Sequence, residues 1–226
     1  GHNGLVCASL LGKAGKKVLV LEANDQVGGA AVTREFADGY SVSACAHLLY
    51  QLQPQVEKDL GLKFRLAADE LGTVALSTDG NHVRINGSEV FGVSDEDAAS
   101  YREFHKRMAR FADLLRTYFN RTPPRLAKDA SKADLLNLAQ LGFDVRRLGR
   151  TEMQEFLRLI GMNIRDELVE RFDSDLLRGA LSLDAVLGTH LGPRSPNTIL
   201  TYLYRLAGRH GALSQPAGGM SAVTGA

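Results

Sequence analysis

The residues in this sequence best placed to hold a ligand are glycines with particular neighbours. The chain opens on GHNG, so Gly1 and Gly4 run directly into an apolar helical pattern. Glycine lets a backbone come close to a bulky anion, and the N–H groups of a helix's first turn point at that anion with the positive end of the helix dipole. Glu22 ends the next apolar run, VLVLE, where a carboxylate can accept hydrogen bonds from ribose hydroxyls. Gly28-Gly29 follow six residues after Glu22, and a second pair, Gly218-Gly219, stands in the closing stretch QPAGGMSAVTGA. Singly, these are ordinary turn glycines and a solvated strand end. Jointly, their spacing favours nucleotide binding, and Glu rather than a cation at position 22 disfavours a ribose 2′-phosphate.

Such residues need elements to present them. Residues 3–14 predict a helix with Leu5, Val6, Ala8, Leu10, Leu11 and Ala14 on a broad apolar face, stopped by Gly15. Cys7, on the apolar side, is expected to be a small buried hydrophobe. VLVLE, residues 18–22, suits a parallel strand covered on both faces. Helix, tight turn and buried strand are the second half of a βαβ unit. Gly1 and Gly4 then take the second and third glycine places of a G-x-G-x-x-G turn, and its first strand is expected upstream of Gly1.

Beyond this, Asp38-Gly39 signals a turn between short β pieces, and PQVEKDLGL a short helix. TVALSTDGNHVRI reads as a hairpin with Asp79-Gly80-Asn81 at its tip and Val74, Leu76, Val83 and Ile85 alternating. From Ser94 the chain is helical. Ser94 to Asp97 opens a helix in the style of a capping box, and Pro123-Pro124 stops it near Arg121. Tyr101, Phe104, Met108, Phe111, Leu114, Leu115 and Tyr118 form its stripe, expected to be core. Further helices are expected at 130–147, at 151–160 with Thr151 and Gln154 as its cap, and at 166–172. Gly188 and Gly192-Pro193 break a helix, and Ser195-Pro196 starts the next. Asp184 could face a substrate cavity, but a helix-surface carboxylate is favoured. Ser195 lacks a nucleophile elbow, which rejects hydrolase chemistry. The division expected is 1–53, then 54–212 (a small sheet at 62–92 and a helical part at 94–212), then 213–226.

Composition narrows the classes. The chain has 27 Lys+Arg against 26 Asp+Glu, a formal net charge of +1, and so no broad positive field for nucleic acid. Arg146-Arg147 and the basic residues from Arg102 to Arg110 alternate with apolar ones and read as solvated helix faces. Two cysteines in unrelated surroundings give neither a disulfide framework nor a metal site. No apolar run approaches a membrane span and no signal peptide is recognisable, so a soluble protein of a reducing compartment is expected.

GHNG…VLVLEANDQVGGAAVTREF resembles the FAD-binding entry of the phytoene-desaturase-like flavin oxidoreductases, and within them the group called pyridine nucleotide-disulfide oxidoreductase domain-containing protein 2. FDSDLLRGALSLDAVLGTHLGPRSPNT and QPAGGM resemble later blocks of the same group, in the same order. The resemblance implies an α/β and α+β fold: a partial Rossmann-like FAD-binding domain lacking its first strand, and a mixed sheet and helical substrate domain. It implies that Gly1, Asn3 and Gly4 border the FAD diphosphate and Glu22 holds the adenosine ribose. Gly28, Gly29, Ala30 and Ala31 would line the diphosphate and flavin side. Ala30 stands where many members of the wider superfamily have Arg. SACAHLLY resembles the segment passing near the flavin, which makes His47 and Tyr50 candidate active-site linings. From the residues alone, a satisfied structural His and a core Tyr are favoured.

Gly218-Gly219 would return the chain to the cofactor. Both ends cut through motifs, so a fragment of a longer chain is expected, inactive alone. The parent would be an FAD-dependent oxidoreductase performing two-electron dehydrogenation, oxidation or isomerisation at flavin N5. Its substrate would be a small molecule, of apolar kind, and its compartment the bacterial cytoplasm or the mitochondrion. No metal, catalytic residue or oligomeric state is assigned. Two alternatives stay open. An NAD-dependent Rossmann dehydrogenase fits Gly1, Gly4 and Glu22 but leaves both later glycine pairs unexplained. A flavin-free binding protein resembling the Rab GDP-dissociation inhibitors would be expected to lose the glycine fingerprint, whose surviving half is intact here.

Overall fold

A computed structural model describes residues 1–119, 121–127, 130–208 and 213–226. They divide into two units, Gly1–Gly72 with Gly211–Ala226, and Thr73–His210.

The first unit begins with α1 (His2–Lys13). It stops as the glycine predicts: Gly15 has φ +75°, its N–H donates to Gly12 O at 2.9 Å, and Lys16 N–H donates to Leu11 O at 3.0 Å. Two expectations change here. Cys7 is exposed rather than buried. Residues 18–22 follow α1 without a strand partner among the described residues, and Leu19 and Leu21 are 81% and 86% exposed. A strand is defined by its ladder, so an apolar run with no neighbour to bond stays irregular.

The ladders of this unit are antiparallel. β1 (Thr33–Ala37) turns at Asp38-Gly39 into β2 (Tyr40–Ser43), with Gly39 at φ +75°. α2 (Pro54–Leu60), with Pro at its first turn, packs on α1. β3 (Leu66–Ala68) pairs with β7 (Gln215–Pro216). These contacts group residues 54–72 with the first unit, whereas the sequence put the departure at residue 54. Ala31, Leu49 and Met220 form a small core with Ala46, Leu52, Phe64, Leu66 and Val223. The short helix α9 (Ser221–Thr224) ends the chain.

The second unit opens on a three-stranded meander, β4 (Thr73–Ala75), β5 (Val83–Asn86) and β6 (Glu89–Phe91). Its tip is held by Asp79, whose carboxylate accepts from Ser77 Oγ at 2.5 Å and Asn81 N at 2.9 Å. Those bonds pull its pKa down to about 2, the Ser77 hydroxyl contributing most. The register corrects the face assignment. Thr73 pairs with Ile85 and Ala75 with Val83, and paired residues share a face. Val74 and Leu76 therefore point away from the side that buries Val83 and are exposed.

The helices are α3 (Asp95–Phe119), α4 (Lys132–Arg147), α5 (Arg150–Ile160), α6 (Ile164–Arg171), α7 (Asp175–Val186) and α8 (Thr198–Ala207). Tyr101, Phe104, Met108 and Phe111 of the α3 stripe are buried, as expected, against α8 among others. Phe104 meets Phe172 edge-on with ring centroids 5.7 Å apart. α5 starts one residue early, at Arg150. Its cap position is Gly149, at φ +90°, and Thr151 makes no cap. α8 starts at Thr198 after Asn197 in the left-handed region, so Ser195 and Pro196 belong to the turn before it. Asp184 is paired with Arg205 at 2.9 Å and is mostly buried rather than a helix-surface group. Burial raises its pKa, against the opposing pull of Arg205. No helix among the described residues is long and apolar enough to cross a membrane.

Only half of the predicted capping box forms at α3. Ser94 Oγ accepts from Asp97 N at 3.1 Å, but the Asp97 carboxylate turns away from the cap. It accepts instead from Asp173 N and Ser174 N, both at 2.9 Å, and so ties the start of α3 to the start of α7. Asp97 is 4% exposed. Replacing it by Ala strands two N–H donors in a site with little water, and each orphaned group costs about 1–3 kcal/mol. Asp97→Ala is expected to lower the urea midpoint of unfolding clearly, and Asp97→Asn, which keeps one acceptor, to lower it less. Equal midpoints for both variants and the parent chain would remove this anchor.

Candidate functional site

The first turn of α1 is an open donor set. Gly1 is its N-cap and offers no side chain, and the first turn carries no acid. The first intrahelical bond runs from Leu5 N to Gly1 O at 3.2 Å. The N–H groups of His2, Asn3 and Gly4 therefore have no acceptor within the helix and face outward at its positive end. A groove of about 300 Å³ lies beside this turn, lined by Gly1, Gly4, Leu5, Val20 and Glu22 among others. It joins the opening glycines to the carboxylate that the sequence singled out.

Glu22 is exposed, and Oε1 accepts from Ala23 N at 2.9 Å, Asn24 N at 3.1 Å and Asn24 Nδ2 at 3.0 Å. The Asn24 N–H does most to hold its carboxyl below the usual range, so Glu22 is ionised at neutral pH. Its Oε2 carries no hydrogen bond among the described residues and remains able to accept one. The Gly28-Gly29 pair sits directly against Gly1. Gly28 has φ +127° and Gly29 φ +63°, and a Cβ on Gly29 would lie 3.0 Å from Gly1 Cα. Two backbones meet here with no side chain between them.

Gly218 and Gly219 join the same region through hydroxyl groups that the sequence pattern does not mark. Thr33 N donates to Ser221 Oγ at 2.7 Å, and Ser221 N donates back to Thr33 Oγ1 at 3.1 Å. Met220 N donates to Ser43 Oγ at 3.1 Å, and Thr33 Oγ1 donates to Gly218 O at 3.2 Å. Gly219 lies under this pairing at φ +76°. A Cβ there would overlap Thr33 Oγ1 and stand 3.0 Å from Ser43 Oγ. A Cβ on Gly28 would in turn stand 3.1 Å from Thr224 Oγ1. Gly1 and Gly29 thus meet backbone to backbone, whereas Gly28 and Gly219 pack against the side chains of Val32, Thr33, Ser43 and Thr224. The available signal was Ser221, two residues after the glycine pair, but hydroxyls pairing across 188 residues leave no local pattern.

The remaining candidates sit differently. Ala31 is buried, and its carbonyl accepts from Thr224 Oγ1 at 3.4 Å, while Ala30 O accepts from Ala46 N at 2.9 Å. Both are structural contacts. Asn3 is exposed on the first turn of α1. His47 is exposed, with Nδ1 3.3 Å from Cys45 O, and Tyr50 is half-buried. Neither is brought against the glycine cluster by any contact described for it. Among the described residues no cluster of His, Cys, Asp or Glu could hold a metal ion.

Residues 1–60 match the family described as NAD(P)-binding Rossmann-like domain. The whole chain is 29% identical to pyridine nucleotide-disulfide oxidoreductase domain-containing protein 2 of Mus musculus and covers 43% of that protein. Half of it is 31% identical to a limonene dehydrogenase polypeptide of Castellaniella defragrans, covering 22% of that protein. In three dimensions 99% of the chain superposes on 46% of a putrescine oxidase redesigned in its cofactor binding, at 20% identity and a TM-score of 0.54. The fold is mixed α/β with a Rossmann-like amino-terminal part. The resemblance read from the glycine blocks therefore extends over the full chain, which spans under half the length of the mouse relative.

The glycines of this region are predicted to separate by substitution. Gly219→Ala meets a positive φ and the Thr33 hydroxyl, and is expected to destabilise by about 1–3 kcal/mol. Gly4→Ala has no neighbour within 4 Å of its new Cβ and lies inside α1, so it is expected to be neutral or to stabilise by about 0.5–1 kcal/mol. Thermal unfolding of both variants checks this, and a destabilising Gly4→Ala with a silent Gly219→Ala would reverse it.

Proposed function

We propose that this chain is part of an FAD-dependent oxidoreductase and that the glycine surface described above carries the cofactor's diphosphate. The observation that carries the reading is the uncapped first turn of α1 beside Gly28-Gly29. It offers N–H donors, a positive dipole end and no side chain or acid to compete with an anion. In this reading Gly1, Asn3 and Gly4 border the diphosphate, Glu22 accepts from the adenosine ribose through Oε2, and Gly218-Gly219 hold the returning chain against the same surface. FAD, when bound, supplies two-electron redox chemistry, while this chain binds, orients and excludes water. The first unit serves the cofactor and the helical second unit serves the substrate. An apolar small molecule is the substrate class we favour, supported by the likeness to a protein named for limonene.

The NAD-dependent alternative is favoured by the name of the family matched by residues 1–60. Against it, a nicotinamide dinucleotide needs only the first glycine turn and Glu22. It gives no role to the second and third glycine contacts.

The test is reconstitution of the full-length protein. It is expected to retain FAD after gel filtration, to show no saturable binding of NAD⁺ at Glu22, and to lose FAD affinity roughly tenfold in Glu22→Ala, the scale of a charged hydrogen bond. Residues 1–226 alone are expected to hold FAD weakly, because Val18 to Leu21 stand exposed beside the groove. A full-length protein that folds, takes up NAD⁺ and refuses FAD would replace this reading with the dehydrogenase. One that refuses both would favour a flavin-free binding protein.

A further inference from the structure

α4 carries two apolar faces, and only one of them has a use in the fold. Val145 and Leu141 pack inward on the second unit's core. On the opposite side Leu136, Ala139 and Phe143, spaced i, i+3 and i+7, form a second stripe, with Leu136 70% and Phe143 61% exposed. Leu135 is exposed beside it, and Leu126, in the loop leading to the helix, is 85% exposed. Scattered exposed leucines need no explanation, but a continuous stripe along the outermost line of a helix does.

The charges around this stripe have one sign. Lys132 stands on the same line at its amino-terminal end, and Arg146 and Arg147 flank its carboxy-terminal end, all exposed. None of the three forms an ion pair among the described residues, whereas most arginines of α3, α5 and α6 do. The Arg147 guanidinium lies over the Phe143 ring, 6.0 Å from its centroid. The two carboxylates of α4 are turned to other work. Asp134 caps the helix through Ser131 and accepts from Arg125 N at 3.1 Å, and Asp144 accepts from Tyr118 at 2.5 Å. The outward face therefore presents apolar side chains inside a collar of unpaired cations and no anion.

We propose that this face of α4 docks on the surface of an anionic lipid bilayer. The helix lies in the interface plane: Leu136 and Phe143 enter the boundary between headgroups and acyl chains, while Lys132, Arg146 and Arg147 extend their stems to reach lipid phosphates. Charge complementarity selects a bilayer with an anionic surface over a neutral one, because each cation near such a surface adds attraction that salt screens. The inference is independent of which cofactor the first unit holds.

The experiment is co-sedimentation of the full-length protein with vesicles of phosphatidylcholine alone and of phosphatidylcholine mixed with phosphatidylglycerol. Binding to the mixed vesicles is expected, and little to the neutral ones, with the bound fraction falling as salt rises. Leu136→Glu/Phe143→Glu is expected to abolish it, and Arg146→Glu/Arg147→Glu to weaken it at least roughly tenfold. All four positions are exposed, so circular dichroism and thermal unfolding should not change. Phe36→Glu/Leu76→Glu, which removes exposed apolar groups elsewhere, should bind as the parent does. The proposal fails if the protein ignores anionic vesicles, or if Leu136→Glu/Phe143→Glu binds undiminished. It also fails if the protein forms a dimer that this variant dissolves while vesicles bind neither, which would give the face to a second copy.

Discussion

The first unit depends on close approaches of the chain that only glycine allows. Gly29 stands so close to Gly1 that one added Cβ would press on the neighbouring Cα, and Gly219 leaves no room for a side chain beneath Thr33. These approaches set where the amino-terminal turn of α1 sits relative to the 28–33 segment and the returning 216–224 segment. At the first turn of α1 they leave main-chain N–H groups as donors, since Gly1 and the Gly28-Gly29 pair carry no side chain. A surface of this kind suits an extended anion better than a reaction that needs an acid or base. That is why the cofactor, and not a protein side chain, is given the redox step in the function proposed above.

The second unit is held differently, by an apolar core threaded with a few satisfied polar groups. Phe104, Met108 and Phe111 of α3 are wholly buried, in one core with Leu177 of α7 and Ile199 and Leu203 of α8. Within that core Asp97 accepts two backbone donors, and Thr198 Oγ1 accepts from Ile164 N at 2.8 Å while donating to Ser195 O. Glu167, with no exposed surface, is bound by Arg158 at 2.8 Å and by Arg171. Groups like these add little net stability but allow one arrangement of helix ends, because any other leaves a donor or a charge unpaired.

Much of this was legible from the residues, where the signal was local. Gly15 as a helix stop, Asp38-Gly39 as a turn and the α3 stripe follow from φ preference and helical period, and each element formed where those rules place it. What the residues could not show was partnership. VLVLE reads as a buried strand, but strandhood needs a neighbour's ladder. Val74 and Leu76 alternate correctly along β4 and just past its end, yet the register with β5 decided which face was inside. Asp97 reads as half of a capping box because Asp173, 76 residues away, is invisible to a local pattern. At the candidate site the glycines are visible in sequence and the hydroxyls are not, for the same reason: a glycine pair is conspicuous, whereas Thr33 and Ser221 matter only once folding has set them against each other.

The most direct measurement is a crystal structure of the full-length protein grown with FAD. The diphosphate is expected within hydrogen-bonding distance of the Asn3 and Gly4 N–H groups, against Gly28-Gly29, with a ribose hydroxyl on Glu22 Oε2. A dinucleotide bound elsewhere on the molecule, or the first turn of α1 closed by a protein side chain in the presence of saturating FAD, would contradict that placement.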